Sequence, residues 1–229
     1  MGSPEVIPIG LGFVHAFLVR GRRDLLVDTG TPGSGPRLRA ALARLGTGLD
    51  RLSLVVITHG HVDHCGGLGG IAPSLACPVA VHRADAEVLV EGRQRSFSPV
   101  GPLLSVLVRI APHSGDRTPS LPPFVPGLLI DGPLDLAPYG VDGTVESTPG
   151  HTAGSVSLFL AGGEVIIGDA LRGAIGWPAA PRWPFVVEDF DENRRSVVRM
   201  LGRRPSRLWT SHGGPLDPDA AERFAGRRK

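Results

Sequence analysis

One stretch decides the fold, and it reads Thr58-His59-Gly60-His61-Val62-Asp63-His64-Cys65-Gly66-Gly67. Three histidines and an aspartate fall within residues 59–64, and two glycines follow them. A metal ion in a protein needs neutral imidazoles and ionised carboxylates that converge on it at about 2.0–2.2 Å. A loop can turn alternate residues toward two neighbouring points, whereas a regular strand sends them to one face. The stretch therefore predicts a metal-binding loop.

The sequence on either side of this loop predicts two halves, each with strands followed by helices. Residues 52–58 form an apolar run of the length of a buried strand, and the run leads into the loop. Other short apolar runs are separated by glycine and proline, which mark turns. The predicted strands are 6–9, 13–19, 25–28, 52–58, 78–81, 144–147, 156–160, 164–167 and 207–210, and the predicted helices are 36–46, 84–90, 192–201 and 218–224. This order suggests two sheets packed between helices.

Length, composition and charge exclude several classes of protein. The 229 residues match one domain, and 41% hydrophobic residues exclude disorder for most of the chain. The net charge is +2, and no nucleic-acid-binding motif accompanies the arginines, so we expect no nucleic-acid partner. Two cysteines and the absence of an apolar leader predict a cytoplasmic protein, and no apolar run reaches the ~20 residues of a membrane span. Nothing in the sequence indicates an oligomeric state.

Three further candidate metal ligands follow the same pattern as the loop. His151 lies in a turn that contains Pro149 and Gly150, just before a predicted strand. Asp169 ends an apolar run after Gly168, and His212 follows the predicted strand 207–210 and precedes two glycines. Each residue is a weak signal alone. Together with the loop they complete a set of five histidines and two aspartates.

A further motif, Val-Asp-Thr-Gly, lies at 27–30. Together with the motifs above it occurs in the order typical of the metallo-β-lactamase superfamily. The chain resembles this superfamily over most of its length. The resemblance implies an α/β protein with one domain over residues 1–229. Its fold would be an αββα sandwich of two mixed sheets flanked by helices. A site for two divalent metal ions would lie at one edge of the sheets.

The resemblance also assigns a role to each candidate residue. The first metal would be held by His59, His61 and His151, the second by Asp63, His64 and His212, and Asp169 would bridge them. Asp63 would also be catalytic, because it would orient the attacking hydroxide. Asp28 would brace the metal loop through hydrogen bonds. Zinc is the default for these donors, which also accept iron or manganese.

The chemistry implied by the resemblance is hydrolysis by a hydroxide that bridges the two metals. Asp169 stands where the best-known β-lactamase subclass has cysteine, a pattern of glyoxalase-II-like thioesterases, lactonases and related phosphodiesterases or sulfatases. The sequence therefore predicts a small ester, thioester or lactone substrate, uncharged or weakly charged, with an apolar part. Alternatives are a persulfide-type dioxygenase with one iron on His59, His151 and Asp169, a phosphodiesterase or β-lactamase-like hydrolase, and a binding protein without activity.

The segment 92–127 departs from the alternation of strands and helices and predicts an insertion that forms a lid. It has apolar residues at helical spacing, followed by five prolines. The alternative is an ordinary connector whose helix packs on the core. If the segment covers the metals, it would supply one apolar wall of a substrate pocket, and the loop after Asp169 would supply the other. The wall residues would be Phe97, Leu103, Leu107 and Phe124 on one side and Trp177, Trp183 and Phe185 on the other.

Overall fold

The computed structural model describes residues 3–93, 98–100 and 121–226, and their strands form two large mixed sheets. The first half of the chain contains strands β1 to β7 and helices α1 to α4. The strands are β1 (Glu5–Gly10), β2 (His15–Arg20), β3 (Asp24–Val27), β4 (Leu54–Val56), β5 (Val79–His82), β6 (Ser98–Pro99) and β7 (Leu128–Ile130). The helices are α1 (Gly35–Arg44), α2 (Val62–Cys65), α3 (Leu68–Ile71) and α4 (Arg83–Glu91).

The second half adds eight strands and two helices among the described residues. The strands are β8 (Leu134–Asp135), β9 (Gly143–Ser147), β10 (Val156–Leu160), β11 (Glu164–Ile166), β12 (Arg172–Ala174), β13 (Trp177–Arg182), β14 (Val186–Val187) and β15 (Arg207–Trp209). The helices are α5 (Phe190–Leu201) and α6 (Pro218–Ala225). Helix α5 is capped by Asp189 and α6 by Asp217, and each of these side chains accepts a hydrogen bond from a backbone N–H of the first turn.

Each large sheet combines parallel and antiparallel pairs. The first sheet has the order β1-β2-β3-β4-β5-β7, in which β1 to β3 are antiparallel and β3, β4, β5 and β7 are parallel. The second has the order β15-β11-β10-β9-β8, in which only the β11–β15 pair is parallel. Two small sheets, β12-β13 and β14-β6, complete the described strands.

Three clusters of buried side chains define the layers. The first lies between the first sheet and its helices and includes Leu26 and Leu38. The second lies between the two sheets and joins Phe17 of the first to Leu158 of the second. The third lies between the second sheet and helices α5 and α6 and includes Val197. The layers are therefore helix, sheet, sheet, helix, which confirms the predicted αββα sandwich.

The predicted elements are found with shifted ends. Predicted strand 13–19 begins at His15, and predicted helix 36–46 begins at Gly35 and ends at Arg44. The sequence does not predict the short strands β7 and β8. It also does not predict the hairpin of β12 and β13, which contains two prolines and lacks an alternating apolar pattern. No helix within the described ranges is long and apolar enough to cross a membrane.

The predicted insertion 92–127 lies mostly outside the described residues, which include neither 94–97 nor 101–120. Its two ends meet, because the backbone N–H of Leu121 donates to the carbonyl of Gly92 over 2.9 Å. Phe97, Leu103 and Leu107 fall in the undescribed ranges, so the lid and this wall of the pocket stay predictions. Beyond the gap, the backbone N–H of Phe124 donates to the carbonyl of Leu89 over 2.8 Å.

Candidate metal centre

The candidate ligands gather where the two sheets meet at one edge. His59 follows β4 of the first sheet, whereas Asp169 follows β11 and His212 follows β15 of the second. His151 lies in the loop between β9 and β10. The backbone N–H of Val156 at the start of β10 donates to the carbonyl of Thr58 over 2.8 Å, which ties the two sheets together beside these residues.

Three histidines form the first donor cluster. His151 Nε2 lies 3.1 Å from His59 Nε2 and 2.9 Å from His61 Nδ1. Tetrahedral ligands with bonds of about 2.0–2.1 Å would be about 3.3 Å apart. The distances from His151 Nε2 to the other two nitrogens are therefore close to the separation that a single bound cation requires, and all three donor atoms lie within 4.8 Å of one another.

A second donor cluster lies beside the first. His212 Nε2 is 3.2 Å from Asp63 Oδ2, and His64 Nε2 is 3.7 Å from the same oxygen. Asp169 Oδ2 connects the two clusters, at 3.2 Å from His212 Nε2 and 3.7 Å from His151 Nε2. The seven residues that the sequence singled out are thus brought together, with Asp169 between the two groups.

The electrostatics of the two clusters differ. Burial is the main cause that lowers the pKa of His59, His61 and His151, the last to about 3, so these imidazoles are neutral. Burial also acts to lower the pKa of His64 and His212, but Asp169 and Asp63 outweigh it and raise the pKa of both, that of His212 to about 10. The carboxylates of the second cluster therefore strongly favour a positive charge beside them.

Two observations show that the donor set fits divalent cations. His64 Nε2 and Asp169 Oδ1 are buried and have no hydrogen-bond partner among the described residues, an arrangement that is costly in a folded protein. A cation would satisfy these atoms and would also supply the positive charge that the carboxylates attract. The soft thiolate donors that select copper(I) are absent from the seven residues, and imidazole with carboxylate suits zinc, iron or manganese.

Asp28 fixes the orientation of the ligand histidines. Its Oδ1 accepts from Thr58 N over 2.8 Å, and its Oδ2 accepts from Thr58 Oγ1 over 2.8 Å and from His64 Nδ1 over 2.9 Å. Since the Thr58 hydroxyl donates to Asp28, it must accept from His59 Nδ1, at 3.1 Å. Nδ1 of both His59 and His64 is thereby engaged by Thr58 or Asp28, so Nε2 is the nitrogen of each ring that faces the donor clusters and would bind a metal, an arrangement common among metal-bound histidines.

Glycine lets the metal loop pack tightly against the turn after β3. A Cβ at Gly67 would collide with the carbonyl oxygen of Thr29. Across this contact, Gly67 N donates to the Gly30 carbonyl over 2.8 Å, and Thr29 N donates to the His64 carbonyl over 2.7 Å. The loop is therefore held both at His64 and just beyond it.

Comparison with known proteins identifies the family of this chain. A model of the metallo-beta-lactamase superfamily matches residues 9–212. The chain belongs to this superfamily. It is similar to probable metallo-hydrolase YflN of Bacillus subtilis, with 27% identity over 210 residues that cover 84% of this chain and 76% of the relative. It is also similar to probable metallo-hydrolase MJ0888 of Methanocaldococcus jannaschii, with 26% identity over 204 residues and 87% of each chain covered.

Solved structures of metallo-β-lactamase proteins share the fold. The structure of family protein TTHA1429 from Thermus thermophilus matches with a TM-score of 0.67 at 24% identity and covers 97% of this chain and 78% of that one. The Rm3 metallo-beta-lactamase matches with a TM-score of 0.68 at 22% identity, over 95% of this chain and 86% of that one. At these identities the likeness supports the fold alone.

The described pocket candidates of this superfamily member divide into two groups. Trp183 packs against Phe190 and Phe224, with ring centroids 5.1 and 5.3 Å away, and Phe124 packs against the first core cluster. These two side chains therefore contribute to the first and third cores, where both are partly buried, and their place in the pocket walls stays a prediction. Trp177 and Phe185 are exposed by 71% and 46%, which leaves them available to a ligand.

Phe13 is an aromatic neighbour of the site that the sequence analysis missed. Its ring stacks on His212 with centroids 5.7 Å apart and planes at 5°, and 67% of the residue is exposed. Its carbonyl also accepts from His212 Nδ1 over 2.9 Å, which leaves Nε2 for a metal. Only the three-dimensional structure reveals this neighbour, since 199 positions separate the pair.

Asp85 is a second residue that the sequence analysis missed, and it joins the two loops that supply the first cluster. Its carboxylate accepts from Gly60 N over 2.8 Å, from Thr152 Oγ1 over 2.7 Å and from Gly154 N over 3.0 Å. The residue is 1% exposed and lies on the buried face of α4 with Val88. An acid on an apolar helix face is the sequence signal that could have found it.

We expect Asp85→Asn to weaken metal binding by roughly 10–100-fold, because an amide cannot accept all three hydrogen bonds that align the loops. Competition with a chromophoric chelator measures this affinity. Glu91→Gln on the same helix is the control, since it removes an exposed carboxylate. Equal affinities in the two variants would contradict the positioning role.

Proposed function

We propose that this protein is a binuclear metal-dependent hydrolase that acts on a small ester, thioester or lactone with an apolar part. The main support for this proposal is the position of Asp169 Oδ2, which lies within 3.2–3.7 Å of nitrogen donors in both clusters. His59, His61 and His151 would hold one cation and Asp63, His64 and His212 the other. The names of the relatives YflN and MJ0888, both probable metallo-hydrolases, support the hydrolase class.

Different residues of the site would have different roles in hydrolysis. Two divalent cations held by these residues would lower the pKa of a bound water toward neutrality and would polarise the carbonyl group of the substrate. Asp63 uses Oδ2 in the second cluster, which leaves Oδ1 to accept a hydrogen bond from the attacking water and to orient it. The buried carboxylate of Asp169 would balance part of the positive charge of both cations. No serine or cysteine nucleophile is needed.

Exposed aromatic rings support an apolar part in the substrate. Phe13 stacks on the candidate ligand His212. Phe185 lies just before β14, and Glu188 lies just after it. The backbone N–H of Glu188 donates to the His151 carbonyl over 3.0 Å. Apolar surface beside a few polar groups is the usual composition of a small-molecule site. Both rings therefore lie on loops that adjoin the candidate ligands.

We expect purified protein to contain about two zinc ions per chain and to lose hydrolysis when a chelator removes them, as a binuclear site requires. Elemental analysis gives the stoichiometry, and rates with aryl esters, acyl thioesters, lactones and bis-aryl phosphates give the substrate class. One iron per chain with oxygen consumption would favour the dioxygenase alternative. Activity confined to the phosphodiester would contradict the acyl substrate.

A further inference from the structure

Two arginines face each other in a hairpin beside the metal centre. Strands β12 and β13 are antiparallel, and Arg172 is the direct partner of Arg182. Side chains of directly paired residues lie on the same face of a sheet, with Cβ atoms about 4.5–5.5 Å apart. Like charges in such a pair destabilise the sheet. The hairpin therefore holds an unfavourable pair of charges.

The hairpin is held against the loop that carries His212. The backbone N–H of Gly173 donates to the carbonyl of His212 over 2.7 Å, and that of Gly214 donates to the carbonyl of Pro178 over 3.0 Å. A Cβ on Gly213 would come within 3.0 Å of Gly173 Cα, so the two segments are in close contact. Arg172 also follows the candidate bridging ligand Asp169 by three positions.

The side chain of Arg172 stacks on an aromatic ring of the segment before β14. Its guanidinium carbon lies 3.6 Å from the centroid of the Phe185 ring. Phe185 precedes β14 and Glu188, and the backbone N–H of Glu188 bonds the His151 loop. The guanidinium thus connects the segment after Asp169 to a segment that is hydrogen-bonded to the His151 loop. Stacking on an aromatic ring fixes the plane of its donors in advance of binding.

Neither arginine has a carboxylate partner among the described residues. Arg172 Nη1 donates to the neighbouring carbonyl of Gly173 and Arg182 Nη1 to that of Pro181, each over 2.9 Å. Arg172 Nε is buried and has no hydrogen-bond partner within those ranges. The undescribed ranges contain one acidic residue, Asp116, for two guanidinium groups. Among the described residues, a guanidinium donor without a partner and a pair of like charges therefore coincide beside the His212 loop.

We propose that Arg172 and Arg182 bind an oxyanion group of the substrate, such as a carboxylate at the end of its acyl chain. This inference rests on the proposed hydrolase function and names the substrate class more closely. An oxyanion would separate the two like charges and accept from the unused donors, since a guanidinium fork matches a carboxylate or phosphate in a bidentate way. The rings of Phe13 and Phe185 would contact the apolar chain between the two ends.

The paired arginines change the substrate class that was predicted from the sequence. Nothing in the sequence indicated a charged pocket, so an uncharged or weakly charged acyl substrate was expected. The two guanidinium groups favour a substrate with a full negative charge at one end and a hydrolysable bond at the other. The apolar part remains, but as the link between these two groups.

The test compares substrates that differ only in the terminal charge. Mono-nitrophenyl esters of adipate and suberate carry a carboxylate, whereas nitrophenyl hexanoate and octanoate are neutral and have acyl chains of the same lengths. We expect metal-loaded protein to prefer the anionic ester of each pair in kcat/KM. Arg172→Gln is expected to lower kcat/KM for the anionic esters by roughly 10–100-fold, the effect of losing a charge-assisted hydrogen bond, with little change for the neutral esters.

Two further variants separate a binding role from a structural one. Arg172→Lys keeps the charge but loses the planar fork, so it is expected to retain part of the preference. Arg51→Gln, at an exposed position in a helical turn before β4, removes a positive charge elsewhere and is expected to leave the preference unchanged. An equal loss of kcat/KM for anionic and neutral esters in Arg172→Gln would overturn the proposal.

A binding measurement keeps this inference distinct from the proposed hydrolysis. Calorimetry on metal-loaded protein would compare two anions, nitrophenoxyhexanoate and its phosphonate counterpart, with the neutral primary amide of nitrophenoxyhexanoic acid. All three are ethers without an ester bond and are therefore not cleaved. Tighter binding of the anions that is lost in Arg172→Gln supports the inference even if no ester is hydrolysed, in which case only the hydrolase proposal fails. The preferred anion identifies carboxylate or phosphate as the group. Equal binding of anions and amide overturns the inference.

Discussion

Asp63→Ala is expected to lower kcat for ester hydrolysis by roughly three orders of magnitude while the protein stays folded. The proposed mechanism gives Asp63 two tasks, since Oδ2 belongs to the second donor cluster, 3.2 Å from His212 Nε2, and Oδ1 orients the attacking water. The alanine variant loses both. The side chain of Asp63 is 21% exposed, so its removal leaves no large cavity in a core.

Steady-state rates, metal content and thermal unfolding of the variant test this expectation together. The metal content is expected to fall from two ions per chain toward one, because the first cluster of three histidines remains intact. Asp131→Ala is a matched control, as it removes an exposed carboxylate from the pair with Arg83. A variant with normal kcat would remove water orientation by Asp63 from the mechanism.

The layers of the fold could be predicted from the sequence because their signals are local. Buried strands such as β4 are short apolar runs, and helices such as α5 carry their apolar residues at helical spacing. The loop 58–67 concentrates four candidate ligands within six positions, so its composition alone indicates a metal site. The more distant ligands became specific only through the resemblance to a family. The structure then brings all seven together at one edge of the sheets.

The parts of the site that the sequence did not predict depend on contacts between distant positions. Asp85 lies 67 positions from Thr152, and nothing in either segment indicates that they meet. Arg172 faces Arg182 only because a hairpin forms in a segment that contains two prolines. The position of Trp183 after Asp169 in the chain does not reveal that its ring packs against helices α5 and α6, where it is partly buried in the third core.

Asp28→Ala is expected to lower the free energy of unfolding by about 4 kcal/mol or more, which is a large part of the 5–15 kcal/mol typical of a domain. The carboxylate is completely buried and accepts three hydrogen bonds, two from Thr58 and one from His64. Each donor left without a partner in the interior costs about 1–3 kcal/mol. The backbone φ of 60° adds roughly 1 kcal/mol, because alanine tolerates the left-handed region less well than aspartate.

Differential scanning calorimetry of metal-loaded protein measures the effect of Asp28→Ala, and a fall in Tm of about 10 °C is expected for a chain of this size. Asp28→Asn is the matched control, since asparagine tolerates this φ and its amide oxygen can still accept from Thr58. The alanine variant is also expected to bind metal more weakly, as His59 and His64 both lose their orientation through Thr58 and Asp28. A stable Asp28→Ala variant with normal metal affinity would show that packing of the loop alone, through Thr29 and Gly67, positions these ligands.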